Sequence, residues 1–218
     1  MDTSETHPSL RLTRLVHACI SVDDGASLLF VDPGEFGLPV NLSRADAVLV
    51  THDHFDHISH AALRALLADR PEVRVYGPEA FGKSADFPVT VVKAGDRFRV
   101  GRIEVEVLGE WQDVANLNDA PIENVGYYIG GKILHPGDAY PRLDFRPDTA
   151  LVPLAAPWSK ATDLQRWLRS ARPRRAVPYH DVTLNDMGIE FGRKTLSEMA
   201  KETETEVIIL SPGESVRV

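Results

Sequence analysis

Residues 47–60 read AVLVTHDHFDHISH, and this stretch decides how the rest of the chain is read. The apolar run Ala47 to Val50, closed by Thr51, predicts a buried strand. It empties at once into His52, Asp53, His54, Asp56 and His57. A strand that ends in a loop dense with imidazoles and carboxylates is how a rigid scaffold presents metal ligands. Imidazole nitrogen together with carboxylate oxygen suits zinc, iron or manganese better than calcium or magnesium. His52 and His54 are two apart, so on extended backbone they leave on the same side and can grip one ion. Asp56 and His57 follow across a turn and can face a second. A histidine-rich surface loop without metal would use the same residues, but unligated imidazoles rarely crowd directly behind a buried strand.

The segment THDHFDH resembles the HxHxDH signature of the metallo-β-lactamase superfamily. Three further pieces resemble that family's pattern in order: LLFVDPG (28–34), HPGD (135–138) and VPYHD (177–181). The HPGD phrase and the compact length are most similar to the branch of small metal-dependent hydrolases around ascorbate-6-phosphate lactonase. The resemblance runs from about Leu12 to the C-terminus. It implies an α+β fold, a four-layer αββα sandwich of two mixed sheets flanked by helices, with metals at one edge of the sheets.

It also implies a ligand set. One metal takes His52, His54 and a further histidine; the other takes Asp56, His57 and His180; Asp138 bridges them. On local sequence alone Asp138 reads equally well as a turn cap, and His180 as a packed histidine at a strand end. The further histidine is expected within 109–116, which here reads GEWQDVAN. The chain has eight histidines, and none lies between His60 and His135. Gln112 is the residue that corresponds best. Its neutral amide oxygen is a weaker donor to zinc than imidazole. Asp113 is the neighbouring carboxylate, but adjacent side chains on a strand point oppositely. The expectation is Zn2+, one ion or two, with Mn2+ or Fe2+ as alternatives at the weakened position.

The other histidines read as structural. His17 is expected on the first strand, hydrogen-bonded to a neighbouring loop; His60 starts a helix; His135 lies inside a strand; His7 is inert. Asp32, at the lip of a Pro-Gly turn, is expected to orient the histidine loop. Trp111, Tyr140, Trp158 and Tyr179 flank the ligand candidates, as pocket wall or as core.

Elsewhere the patterning is that of a globular chain. Hydrophobic content of 43% with 26% charged residues supports a sizeable core. Residues 1–9 read as a disordered tail before one domain over 10–218. Strands are expected at 28–31, 87–107, 149–154 and 176–179. Gly130-Gly131 marks a hairpin, and a final strong strand is expected at 207–210. Helices are expected at 61–70, at 161–171 and at 189–202, the last broken by Gly192. A β-rich half followed by helix is faintly duplicated. The net charge of −8 argues against a nucleic-acid partner, and with it against an RNA-processing nuclease. Cys19 is the only cysteine, which fits a reducing cytosol. No signal peptide or membrane span is read. The expected function is a metal-dependent hydrolase that attacks an ester, lactone or phosphodiester of a small-molecule substrate with a metal-activated hydroxide. Asp56 orients that nucleophile, and a homo-oligomer is left open. The alternative is a non-catalytic relative that keeps the fold and binds metal or ligand, because Gln112 stands where a histidine is expected.

Overall fold

In the computed structural model, residues 9–109, 111, 112, 114, 116, 118 and 120–218 are described. The expected tail with His7 (all but Ser9) and Asp113 lie outside them. The first part of the chain runs β1 (Arg11–Arg14), β2 (Ile20–Asp23), β3 (Leu28–Val31), β4 (Ala47–Leu49), α1 (His60–Asp69), β5 (Arg74–Gly77), α2 (Glu79–Ser84) and β6 (Thr90–Val91). The second runs β7 (Arg97–Val100), β8 (Ile103–Leu108), β9 (Trp111–Gln112), β10 (Ile122–Glu123), β11 (Gly126–Ile129), β12 (Ile133–His135) and β13 (Thr149–Pro153). It closes with α3 (Ala161–Ala171), β14 (Arg175–Tyr179), α4 (Asp186–Lys201), β15 (Glu206–Val207) and β16 (Ser215–Arg217).

Two seven-stranded sheets result, in the orders β16-β1-β2-β3-β4-β5-β6 and β15-β14-β13-β12-β11-β8-β7. Each begins as an antiparallel meander and ends parallel. In the first sheet the switch falls at β3, which pairs antiparallel with β2 and parallel with β4. In the second it falls at β12, between β11 and β13. Parallel neighbours need a crossover: α1, α2, α3 and α4 supply it for β4–β5, β5–β6, β13–β14 and β14–β15, while β3–β4 and β12–β13 are joined by long loops without an α-helix. The faint duplication in the sequence is therefore a repeat of topology. At the β11–β12 hairpin, Gly130 and Gly131 both take positive φ, 62° and 65°, as a two-residue turn requires.

Strand alternation sorts the layers. Ile103, Val105 and Val107 point into a shared core with Leu12, Val22, Leu29, Leu49, Tyr127 and Ile129 between the sheets. Leu63 and Leu66 of α1 and Phe81 of α2 cover the outer face of the first sheet over Val48 and Val75. Leu164, Trp167 and Leu168 of α3 and Leu196 of α4 cover the second over Ala150, Val152 and Ala176. The order is helix, sheet, sheet, helix, the αββα arrangement expected.

Three elements differ from expectation. α2 was unannounced, since Gly82 lowers its intrinsic propensity; burial of Phe81 fixes it. α4 runs unbroken through Gly192, which tertiary packing tolerates. The strand expected at 207–210 pairs over only Glu206–Val207, after which the chain crosses so that β16 can pair with β1.

Candidate metal centre

The site assembles where parallel strands end. Asp32 follows β3, the 52–57 loop follows β4, Asp138 follows β12 and His180 follows β14. Open parallel strands gather their ligand loops at the carboxyl edge. Both sheets contribute, so the site straddles one end of the sandwich.

The histidine loop is fastened from beneath. Fully buried Asp32 accepts the Thr51 amide at 2.8 Å on Oδ1, and on Oδ2 the Thr51 hydroxyl and the His57 Nδ1–H, both at 2.7 Å. Gly34 packs so tightly here that a Cβ would lie 2.0 Å from the Asp56 carbonyl oxygen. The Asp138 loop is fastened from the side by Asn124. The Asn124 Oδ1 accepts the Asp138 amide at 2.9 Å, and its Nδ2–H donates to the Pro136 carbonyl at 3.0 Å. The Trp158 indole N–H donates to Asp138 Oδ2 at 2.9 Å. Backbone strain collects at the same place: Asp32, His17 and His180 hold φ of 50°, 55° and 58°. Non-glycine residues persist in that region where surrounding contacts over-determine them.

Into this frame the six predicted ligands converge. His57 Nε2 lies 3.3 Å from His180 Nε2 and 3.2 Å from Asp138 Oδ1, and His180 Nε2 is also 3.2 Å from Asp138 Oδ1. Asp56 Oδ2 is 3.6 Å from His180 Nε2 and 3.9 Å from His57 Nε2. His52 Nε2 and His54 Nδ1 approach to 2.9 Å on the adjoining side. Ligand atoms of His52, His57 and Asp138 lie within 4.8 Å of one another, as do those of His17, Asp56, His57 and His180.

Outer contacts fix the tautomers. His57 Nδ1 gives its hydrogen to Asp32, and His180 Nδ1 gives its own to the Ala155 carbonyl at 2.5 Å. In the neutral rings both Nε2 atoms therefore carry lone pairs, facing each other and Asp138 Oδ1, which has no hydrogen-bond partner among the described residues. Acceptors gathered this closely need a cation among them, a proton on an Nε2 in the metal-free state or a metal ion in its place, and the set fits a metal ion.

The charge pattern agrees. Burial alone would lower the His57 imidazole, but the Asp138 and Asp32 carboxylates outweigh it and hold it well above the usual histidine range. Burial would raise Asp138, yet the His57, His180 and His52 imidazoles keep it well below the usual carboxylate range. Asp56 is likewise pulled down against burial, by the hydrogen bond from His17 and by the neighbouring His180 and His57 imidazoles. His52 is pushed well below the usual value, by burial first and by the neighbouring His57 second.

His17 forms the loop bond expected, with Nε2 3.2 Å from Asp56 Oδ2, but it sits in a turn after β1 rather than on the strand. The Val182 amide donates to His17 Nδ1, so its Nε2–H points at Asp56. His60 starts α1 and bonds Asp53 at 2.6 Å; His135 is buried in β12 and donates to the Ala18 carbonyl at 2.9 Å. Gln112, on β9, is buried against the same cavity as His54 and Asp138, and its Oε1 has no partner among the described residues. Tyr140 and Trp158 line that cavity, Trp111 is exposed, and Tyr179 belongs to the inter-sheet core. Sequence reasoning missed Asn124, which carries no local signal.

Residues 11–180 match the family model of the beta-lactamase superfamily domain. The chain belongs to this superfamily. Among relatives within reach of sequence comparison, Protein Rv0786c of Mycobacterium tuberculosis is 33% identical over 194 residues, covering 85% of this chain and 92% of that one. A UPF0173 metal-dependent hydrolase of Archaeoglobus fulgidus is 28% identical, covering 94% and 98%. The superfamily fold also appears in a solved structure, the metallo hydrolase Igni18 of Ignicoccus hospitalis. It aligns with a TM-score of 0.74 at 17% identity, over 96% of this chain and 98% of that one. No helix among the described residues is long and apolar enough to cross a membrane.

Proposed function

We propose that the protein is a metal-dependent hydrolase of a small molecule, with Asp56, His57 and His180 holding one ion and Asp138 shared with a second position formed by His52, His54 and Gln112. The observation that carries the reading is the convergence of the His57 Nε2, His180 Nε2 and Asp138 Oδ1 lone pairs, with both ring Nδ1 atoms committed elsewhere. The name of the Archaeoglobus relative supports it. When bound, zinc, or manganese or iron in its place, supplies the Lewis acidity that makes water a nucleophile near neutral pH and polarises the scissile bond.

The chain's own residues do the rest. Asp32 and the Ala155 carbonyl hold the two imidazoles as Nδ1–H tautomers, leaving Nε2 free to coordinate. His17 anchors one oxygen neighbourhood of Asp56 through Nε2–H. A carboxylate kept so far below its usual range stays ionised, which suits Asp56 to accept a hydrogen bond and align water. Trp158 fixes the second oxygen of Asp138, so that Oδ1 turns toward the imidazoles. Esters, lactones and phosphodiesters all suit this arrangement, and the acidic chain suits a small molecule over a nucleic acid.

One observation favours a second reading, a degenerate binder. Gln112 offers only a neutral amide oxygen, buried and without a partner among the described residues, where a strong donor would complete the second position. Turnover of nitrophenyl esters and phosphodiesters, before and after chelation and after reloading with zinc, manganese or iron, separates the two. Hydrolysis that chelation abolishes and reloading restores is expected. Absence of any turnover across the panel with metal bound favours the binder.

A further inference from the structure

The cavity over the metal centre has walls that select among the substrates just named. Its volume is about 860 Å³, in the range that encloses a drug-sized ligand. Beyond the ligand candidates its lining carries no lysine or arginine among the described residues. Apolar side chains dominate instead: Phe55, Ile122, Leu154, Trp158, Leu184 and Phe191. Phe55 and Phe191 stay 62% and 73% exposed, an unfavourable disposition for aromatic rings unless something apolar covers them. α4 turns Gly188 and Gly192 to the cavity, so its backbone forms a smooth wall; a Cβ on Gly192 would just touch the Leu154 side chain, at 3.5 Å.

The polar groups on the wall are neutral donors. Tyr140 and Ser159 share a hydrogen bond at 2.7 Å between their hydroxyls. A phosphate or carboxylate placed away from the metals would meet no cation here and would lose its hydration uncompensated.

We propose that the substrate is a neutral carboxylic ester, lactone or amide bearing an apolar acyl or aryl group, with that group against α4 and its carbonyl at the histidine–aspartate cluster. This rests on the hydrolase reading and narrows it. Water adds across the acyl bond, its oxygen to the carbonyl carbon and a proton to the leaving oxygen or nitrogen, and no other reactant is needed.

The test separates the pocket from the chemistry by measuring binding and turnover independently on metal-loaded protein. Methyl ketones of increasing length (hexanone, octanone, decanone) serve as inert probes, followed by calorimetry or tryptophan fluorescence. Each two-carbon step is expected to tighten binding about tenfold, from about 0.8 kcal/mol per buried methylene. Phe191→Asp, at an exposed position, and Gly192→Leu, which fills the wall, are each expected to weaken decanone about tenfold or more, with unchanged circular dichroism. Nitrophenyl octanoate is expected to exceed nitrophenyl acetate in kcat/KM by at least about tenfold. Ketone binding without length dependence, or unaffected by both variants, overturns the assignment, as does the absence of binding. Ketones that bind as expected while no ester, lactone, amide or phosphodiester is cleaved would sink the hydrolase reading and leave the apolar pocket standing. Esters cleaved without length preference would do the reverse.

Discussion

The two sides of the centre are built to different tolerances. On the side of Asp56, His57 and His180, every ligand is held by a second contact: His57 by Asp32, His180 by the Ala155 carbonyl, Asp56 by His17. On the side of His52, His54 and Gln112, His52 leans on the Thr51 hydroxyl, while the Gln112 oxygen is buried with no partner among the described residues. A fixed ligand loses little freedom on binding metal, and an orphaned amide adds little donor strength. The difference teaches that metal occupancy need not be symmetric. On the proposed ligand set, the first side is the one built to hold an ion, and the second shares Asp138 with it.

The sharpest way to break the comparison is to delete one imidazole from each side. His57→Ala is expected to lower metal affinity and metal-dependent turnover by at least about 100-fold, since even outer contacts of ligands contribute 10- to 100-fold. His54→Ala is expected to cost less, and to spare the ion held by the other side. Titration calorimetry with zinc reads both. Equal losses would erase the asymmetry.

A smaller effect sharpens it. With its pKa raised, His57 carries a proton in the metal-free protein at neutral pH, and that proton must leave when metal binds. Apparent affinity should therefore rise with pH from the ordinary histidine range upward, until the raised His57 value is passed. The metal-free fold moves the opposite way. Stabilisation from a group whose pKa is raised on folding is complete below its unfolded value and is lost as pH rises through the folded one. The thermal shift produced by metal should accordingly grow with pH. His57→Ala should flatten that growth; an unchanged slope would assign the proton elsewhere.

Much of this site was legible because its chemistry uses unusual residues in fixed places. His52 to His57 announce themselves behind an apolar strand, and His180 and Asp138 end strands of their own. The layers were legible from period-two alternation at 103–107 and helical spacing at 161–171. What escaped depends on contacts between distant segments. Nothing local marks Asn124 as the clamp of the Asp138 loop or tells that Gly34 must be small because the Asp56 carbonyl lies against it. His17 shows the boundary: its bond to a loop was readable, its place in a strained turn was not, because β1 stops at Arg14 where the chain bends toward the site. α2 escaped for the same reason, since Phe81 is fixed by packing rather than propensity.

The most direct test is metal content per chain, by elemental analysis after purification without added metal and dialysis, for the natural protein and for Gln112→His. The account predicts at least one retained ion in the natural protein, with the second position filled or strengthened by the new imidazole. A protein that retains no metal, even after soaking with zinc and manganese, would contradict it.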